Sequence, residues 1–319
     1  MRGVNLDVFA FDHDLTWAAF FLNADEKVYG RFGGRDAESP DKYLTLAGLK
    51  HAMRAALAAH KKGPPPKPAA EKAARTVEQY EAAKRLKPNA CIHCHQVYDF
   101  RREELKAGKK WSLDEVWVYP LPENVGLTVD PDRGDRVKSI VEKSPADRAG
   151  LRAGDTLRTV NGVPVAAFAD VQYGLHLAPA SGKVTVAWER DGREQRGELG
   201  LAAGWRKTDI SWRESMWGLR PPACVHGKDL GADDRKRLGL SEKALAFRQG
   251  NFVPAAADAA GIRPGDVIVG VDDKPLEMTM RQFNAYVRLN YKADDKVTYN
   301  VLRDGKRVNI PLTLPGRSD

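Results

Sequence analysis

The 319 residues are 42% hydrophobic and 29% charged, the balance of an ordinary folded chain long enough for two or three domains. The formal net charge is +8, but the 51 Lys and Arg are scattered rather than massed, which argues against a nucleic-acid partner. No run approaches the roughly 18–20 consecutive apolar residues of a membrane span, and three cysteines build no disulfide framework.

In chain order, residues 17–22 form a compact apolar run suited to a buried strand. Residues 23–26 supply turn chemistry, and residues 27–32 alternate as a second strand. Leu46, Leu49, Met53 and Leu57 recur at three- and four-residue spacing, predicting a helix over 44–60 with one apolar stripe. Residues 61–68 are dense in proline and read as a linker. An Ala/Glu/Lys-rich helix is expected over 69–86, and a charged helix over 99–110.

Between those helices stands Cys91-Ile92-His93-Cys94-His95, which fits the C-x-x-C-H signature for attachment of c-type haem. Two thiols one helical turn apart reach the two vinyl groups, and His95 becomes an axial ligand of the iron. The sixth ligand is unassigned, with His51, Met53, His60 and Met216 as candidates. Zinc or copper on Cys91, Cys94 and one of His93 or His95 is an alternative, as are thiol redox chemistry and an incidental pair with no cofactor. His13, His176 and His226 have no partner at ligand spacing and read as surface or core residues.

The rest of the chain is a block that occurs twice. Ala149-Gly150-Leu151-Arg152-Ala153-Gly154-Asp155 returns as Ala260-Gly261-Ile262-Arg263-Pro264-Gly265-Asp266, and Arg190-Asp191-Gly192 returns as Arg303-Asp304-Gly305. A repeat of this length exceeds a solenoid unit and reads as two copies of one domain. In the first copy strands are expected at 126–129, 136–141, 156–160, 184–189 and 194–199. Ser144 is the N-cap of a short helix and a longer helix runs from Phe168. The second copy carries a strand at 267–271, a helix over 279–290 and a final hairpin over 297–312. An insertion around 223–240 has no counterpart in the first copy.

In its turn, cap and strand order this block resembles the PDZ domain, in the permuted form of bacterial high-temperature-requirement serine proteases and related periplasmic proteins. The resemblance implies peptide capture by strand addition between an exposed strand edge and the second helix, with a preceding loop of backbone N–H groups receiving a C-terminal carboxylate. By resemblance the receiving residues are Val125, Gly126, Leu127, Thr128 and Val129 in the first copy, and Trp217, Gly218, Leu219 and Arg220 in the second. The first groove is the favoured one, because Pro221 and Pro222 follow the second candidate strand directly. A charge at Leu127 is expected to abolish capture and leave the fold intact.

The amino-terminal strand-strand-helix looks like the last part of a thioredoxin fold, without that family's cysteine unit. The natural product is therefore expected to begin upstream of Met1, with the missing half and a secretion signal. The expected class is α+β: a thioredoxin-like fragment over 1–61, a linker with the C-x-x-C-H segment over 62–122, and PDZ-like sandwich or barrel domains over 123–205 and 215–315. The resembling proteases carry a serine in a Gly-Asn-Ser-Gly-Gly setting that does not occur here. The reading is thus a non-enzymatic, extracytoplasmic adaptor without a protease domain, binding peptide C-termini or extended segments and carrying haem c. A thioredoxin-related redox protein and a regulatory subunit of a separate protease are the rivals.

Overall fold

The computed structural model describes residues 1–63 and 74–316, and its backbone contacts divide the chain into two compact units, Met1–Thr208 and Asp209–Asp319. The first unit opens with the antiparallel hairpin of β1 (Ala18–Leu22) and β2 (Val28–Gly33). Helix α1 (Leu46–Lys62) follows, its N-terminus capped by Thr45, whose hydroxyl accepts from Gly48 N. The expected apolar stripe is corrected here. Leu46, Met53 and Leu57 are each more than half exposed, and α1 buries Gly48, Ala52 and Ala56 instead. The approach is too close for larger side chains: a Cβ on Gly48 would stand 2.7 Å from the Pro131 carbonyl oxygen.

Residues 64–68 of the proline-rich segment and 69–73 of the expected helix lie outside the described residues. From residue 77 that helix is broken, with a 3-10 turn at Val77–Gln79, extended backbone at Tyr80 and a single turn α2 (Glu81–Lys84). Helix α3 (Gln96–Ala107) closes a small core of Val77, Tyr80, Ala83, Ile92, Val97 and Phe100.

The first module follows a 3-10 turn at Pro122–Val125. It comprises β3 (Leu127–Val129), β4 (Val137–Ile140), α4 (Pro145–Arg148), β5 (Thr156–Val160), β6 (Val163–Pro164), α5 (Phe168–His176), β7 (Gly182–Arg190) and β8 (Arg193–Leu201). Strands β3 and β4 pair with each other, and the larger sheet has the order β6-β5-β7-β8. Leu127, Leu157, Val171, Leu175, Val186 and Leu199 of this module are all buried.

The second unit holds β9 (Gly227–Asp229), α6 (Ala232–Arg237), β10 (Phe247–Gln249), α7 (Ala255–Ala259), β11 (Val267–Val271), α8 (Met280–Asn290), β12 (Lys296–Arg303) and β13 (Lys306–Thr313). Its strands form one sheet in the order β13-β12-β11-β10-β9, over a core that includes Phe247, Ile268, Phe283 and Tyr299.

The repeated residues perform the same task in both copies. Arg190 grips both carboxylate oxygens of Asp155 and the Gly150 carbonyl at 2.7 Å each. Arg303 grips Asp266 at 2.8 and 2.7 Å and the Gly261 carbonyl at 2.7 Å. Each aspartate also accepts a backbone N–H, from Arg152 and Arg263 respectively. A two-pronged guanidinium–carboxylate pair fixes geometry as well as energy. The repeat thus survives in sequence as the latch between the Gly-Asp turn and the final hairpin.

Candidate functional site

In the first module β3 is paired on one edge only, with β4. Val125, Leu127 and Val129 are buried, and Thr128 is half-buried on the other face. The expectation that a charge at Leu127 spares the fold is therefore corrected: at 1% exposure, Leu127 is a core residue.

Helix α5, the expected opposite wall, is sheathed by the chain's own amino-terminal residues. Asp170 accepts from Arg31 N, and the Arg31 guanidinium lies 3.6 Å from the centre of the Tyr173 ring. Gln172 donates to Asp12 and to the Tyr119 carbonyl, and the His176 ring stacks on Tyr119 at 3.9 Å. Tyr43 stacks on Phe168 at 3.8 Å and neighbours Glu123 in the turn before β3. Burial pushes Asp170 up to about 7 and raises Glu123. The space left beside β3, about 580 Å³, is lined by Thr128, Lys138 and Ser139 together with Asp36, Glu38 and Lys42.

In the second module the expected receiving strand is corrected. Trp217 and Gly218 belong to a 3-10 turn at Glu214–Gly218, and Leu219 is 3% exposed and packed inside. The true counterpart of 125–129 is 223–227. Val137 donates to the Asp155 carbonyl and faces Val129 across the ladder, while Gln249 donates to the Asp266 carbonyl and faces Gly227. Cys224, with φ 58°, makes the left-handed turn that Gly126 makes with φ 76°. The inserted segment accordingly begins after Asp229 and carries α6. The usable sequence signal was a small or apolar residue on each side of one turn residue. It was masked because cysteine stands where glycine is the usual choice.

Here α8 reaches across to that segment. Asn284 Nδ2 donates to the Val225 carbonyl at 3.1 Å, and Met280 N donates to the Asp229 carboxylate at 2.7 Å. Thr279 caps the helix in a reciprocal box with Gln282. Beside these ties remains a cleft of about 230 Å³, bounded by Trp217, Pro222, Cys224, His226, Phe252 and Arg288 among others. Phe252 is 69% exposed at its edge, with the His226 ring 5.6 Å away. Asn284 and Arg288 were not singled out by the sequence, and His226, read there as a surface or core residue, lines the cleft. Of the residues that were, Trp217 borders the cleft and Arg220 follows the 3-10 turn, its guanidinium donating to the Trp217 carbonyl at 3.2 Å.

The C-x-x-C-H segment lies on the small helical core. Cys91 is exposed, Cys94 and His95 are half-buried, and Ile92 between them points into the core. The loop is pinned by the Met1 ammonium on the Ile92 carbonyl and by Arg2 on the Ala90 and Lys87 carbonyls. Among the described residues no group of three or more His, Cys, Asp or Glu is placed to hold a metal ion. The candidates for a sixth haem ligand have other surroundings. His51 pairs with Asp135 at 3.0 Å, His60 bonds Tyr29, Met53 is exposed, and Met216 is buried in the second unit.

Residues 136–190 match the PDZ domain family, and residues 252–314 match it again, so the chain contains two PDZ domains. Among curated proteins, it is 28% identical over 177 residues to a probable periplasmic serine protease do/HhoA-like of Haemophilus influenzae, covering 56% of this chain and 34% of that protein. It is 26% identical to a probable periplasmic serine endoprotease DegP-like of Pseudomonas putida, over 61% of this chain and 40% of the relative. It is 25% identical to periplasmic serine endoprotease DegP of Escherichia coli, over 47% and 29%. The chain thus matches less than half the length of each. These relatives overturn the expectation of a non-enzymatic chain without a protease domain, for each is named a serine protease. No helix among the described residues is long and apolar enough to cross a membrane.

Proposed function

We propose that this chain supplies the peptide-capturing part of a periplasmic serine protease of the DegP-like kind, and that capture takes place at the second PDZ domain. One observation carries the choice of domain: α5 is covered by residues of its own unit, whereas α8 borders an open cleft with an exposed aromatic edge. Polypeptide held there is delivered for cleavage, the activity named for the relatives. The test is anisotropy of a fluorescein-labelled random heptapeptide pool with free C-termini, followed by casein hydrolysis with and without a serine-directed fluorophosphonate. Saturable binding and fluorophosphonate-sensitive hydrolysis are expected. Absence of binding removes the capture reading, and hydrolysis indifferent to the inhibitor removes the serine-protease reading.

A second reading concerns Cys91, Cys94 and His95, whose accessible free thiols and adjacent imidazole fit thioether attachment of haem c. The haem would supply one-electron chemistry, and Cys91, Cys94 and His95 would hold it. The thioredoxin-like ancestry of residues 1–61 belongs to the same proposal. A Soret band on protein made with haem-maturation machinery is the expected result. Its absence, with both thiols free to alkylation, moves the motif to thiol chemistry.

A further inference from the structure

Helix α1 lies outside both stretches that match the PDZ family, and it is packed inside out. It buries Gly48, Ala52 and Ala56 and leaves its large side chains in solvent: Leu46 is 65% exposed, Met53 53% and Leu57 55%. At the helical turn angle those three lie within about 40° of one another around the axis, roughly a third of a turn from the buried face. Lys50, Lys61 and Arg54, all exposed, fill about the next 40°. The helix holds four Lys and Arg and no Asp or Glu. Lys50, Arg54 and Arg133 meet Leu46 around a hollow of about 550 Å³, with Asp132 as the carboxylate on its lining and His51 paired to Asp135. Single exposed leucines are ordinary. A stripe of three large apolar side chains beside a row of cations is the pattern of a helix that lies in an interface.

From this face we infer that α1 docks the chain on an anionic lipid surface, independently of peptide capture at the second domain. Laid flat, the helix runs about 25 Å along the surface. Leu46, Met53 and Leu57 enter the acyl boundary, and Lys50, Arg54 and Lys61 stay at the level of the headgroup phosphates. Charge selects this occupant. A second copy of the chain seated on the same face would set its four cations against these four, whereas an anionic bilayer attracts each of them. Shape agrees, because the stripe is a ridge along a helix and enters a deformable phase without a preformed groove.

The full chain is sedimented with sucrose-loaded vesicles of phosphatidylcholine alone, and of phosphatidylcholine with about one third phosphatidylglycerol. Binding to the anionic vesicles is expected, at least about tenfold weaker on the neutral ones and similarly weakened in about 0.5 M salt. The double variant Lys50→Gln with Arg54→Gln is expected to lose about ten- to thirtyfold in affinity. Met53→Gln with Leu57→Gln is expected to lose about tenfold. Thermal unfolding is the folding control, and unchanged Tm is expected for both pairs because all four side chains are exposed. A marked fall in Tm of the apolar pair would show that protein covers the face and overturn the lipid assignment. So would a wild-type dimer that the apolar pair turns into monomer in analytical ultracentrifugation. Weakening by the charge pair with none by the apolar pair would reduce the effect to the net charge of +8 and overturn α1 as the docking face. Equal binding by both variants, or no binding by the wild type, overturns the inference outright. Every one of these results leaves peptide capture standing.

Discussion

In the first PDZ domain α5 is wrapped by Asp12, Arg31, Tyr43 and Tyr119, while in the second α8 is tied by Asn284 and Asp229 to its own receiving segment and borders an open cleft. Both use the same frame, down to the arginine latch on a buried aspartate. The frame therefore does not decide whether a groove is available. In the first domain residues outside the frame decide it, through an aromatic stack on α5, and in the second a single asparagine of α8 itself shapes it.

Breaking the sheath of α5 should have the largest effect on stability. Tyr43→Ala removes a fully buried ring stacked on Phe168 and is expected to destabilise the unit Met1–Thr208 by about 3–5 kcal/mol in urea unfolding. Next come the latches, which sharpen the comparison by being alike. Arg190→Ala and Arg303→Ala should each cost about 1.5–3 kcal/mol, because Asp155 and Asp266 stay buried without their partner. Unequal costs would show that the two frames are not energetically equivalent. The smallest mutational effect distinguishes the helix caps. Ser144 accepts from Asp147 N, whereas Pro254 at the corresponding helix start makes no side-chain cap. Ser144→Ala should cost about 1 kcal/mol, and Pro254→Ala a good deal less.

The first domain also carries a pH signature at the buried carboxyl of α5. Burial pushes Asp170 from its ordinary 3.8 up to about 7, so folding favours its protonated form. Its contribution to stability is full below about pH 4 and is lost as pH rises through about 7. The difference in unfolding free energy between wild type and Asp170→Asn should therefore change across that window and flatten above it. A difference constant from pH 4 to pH 7 would place Asp170 at an ordinary carboxylate value.

Much of the frame was legible because turns and latches need particular residues. Gly-Asp before a strand, Arg-Asp-Gly at a hairpin and Ser-Pro at a helix start recur in order, and each makes the element it announces. The groove was less legible. Cys224 holds a left-handed turn with no glycine to mark it, so Gly218 was taken for its counterpart of Gly126. Helix α1 misled in another way. Its leucines recur at helical spacing, yet contact with residue 131 selects the small face of Gly48, Ala52 and Ala56. Spacing reports which residues share a face, whereas the closeness of a neighbour decides which face is buried.

Photocrosslinking tests the central claim most directly. A random heptapeptide pool with free C-termini and an amino-terminal benzophenone is bound to the full chain, irradiated and mapped by mass spectrometry. Adducts are expected on residues around the second cleft, Phe252 and Trp217 foremost. Adducts concentrated on β3 and α5 of the first domain would contradict the account.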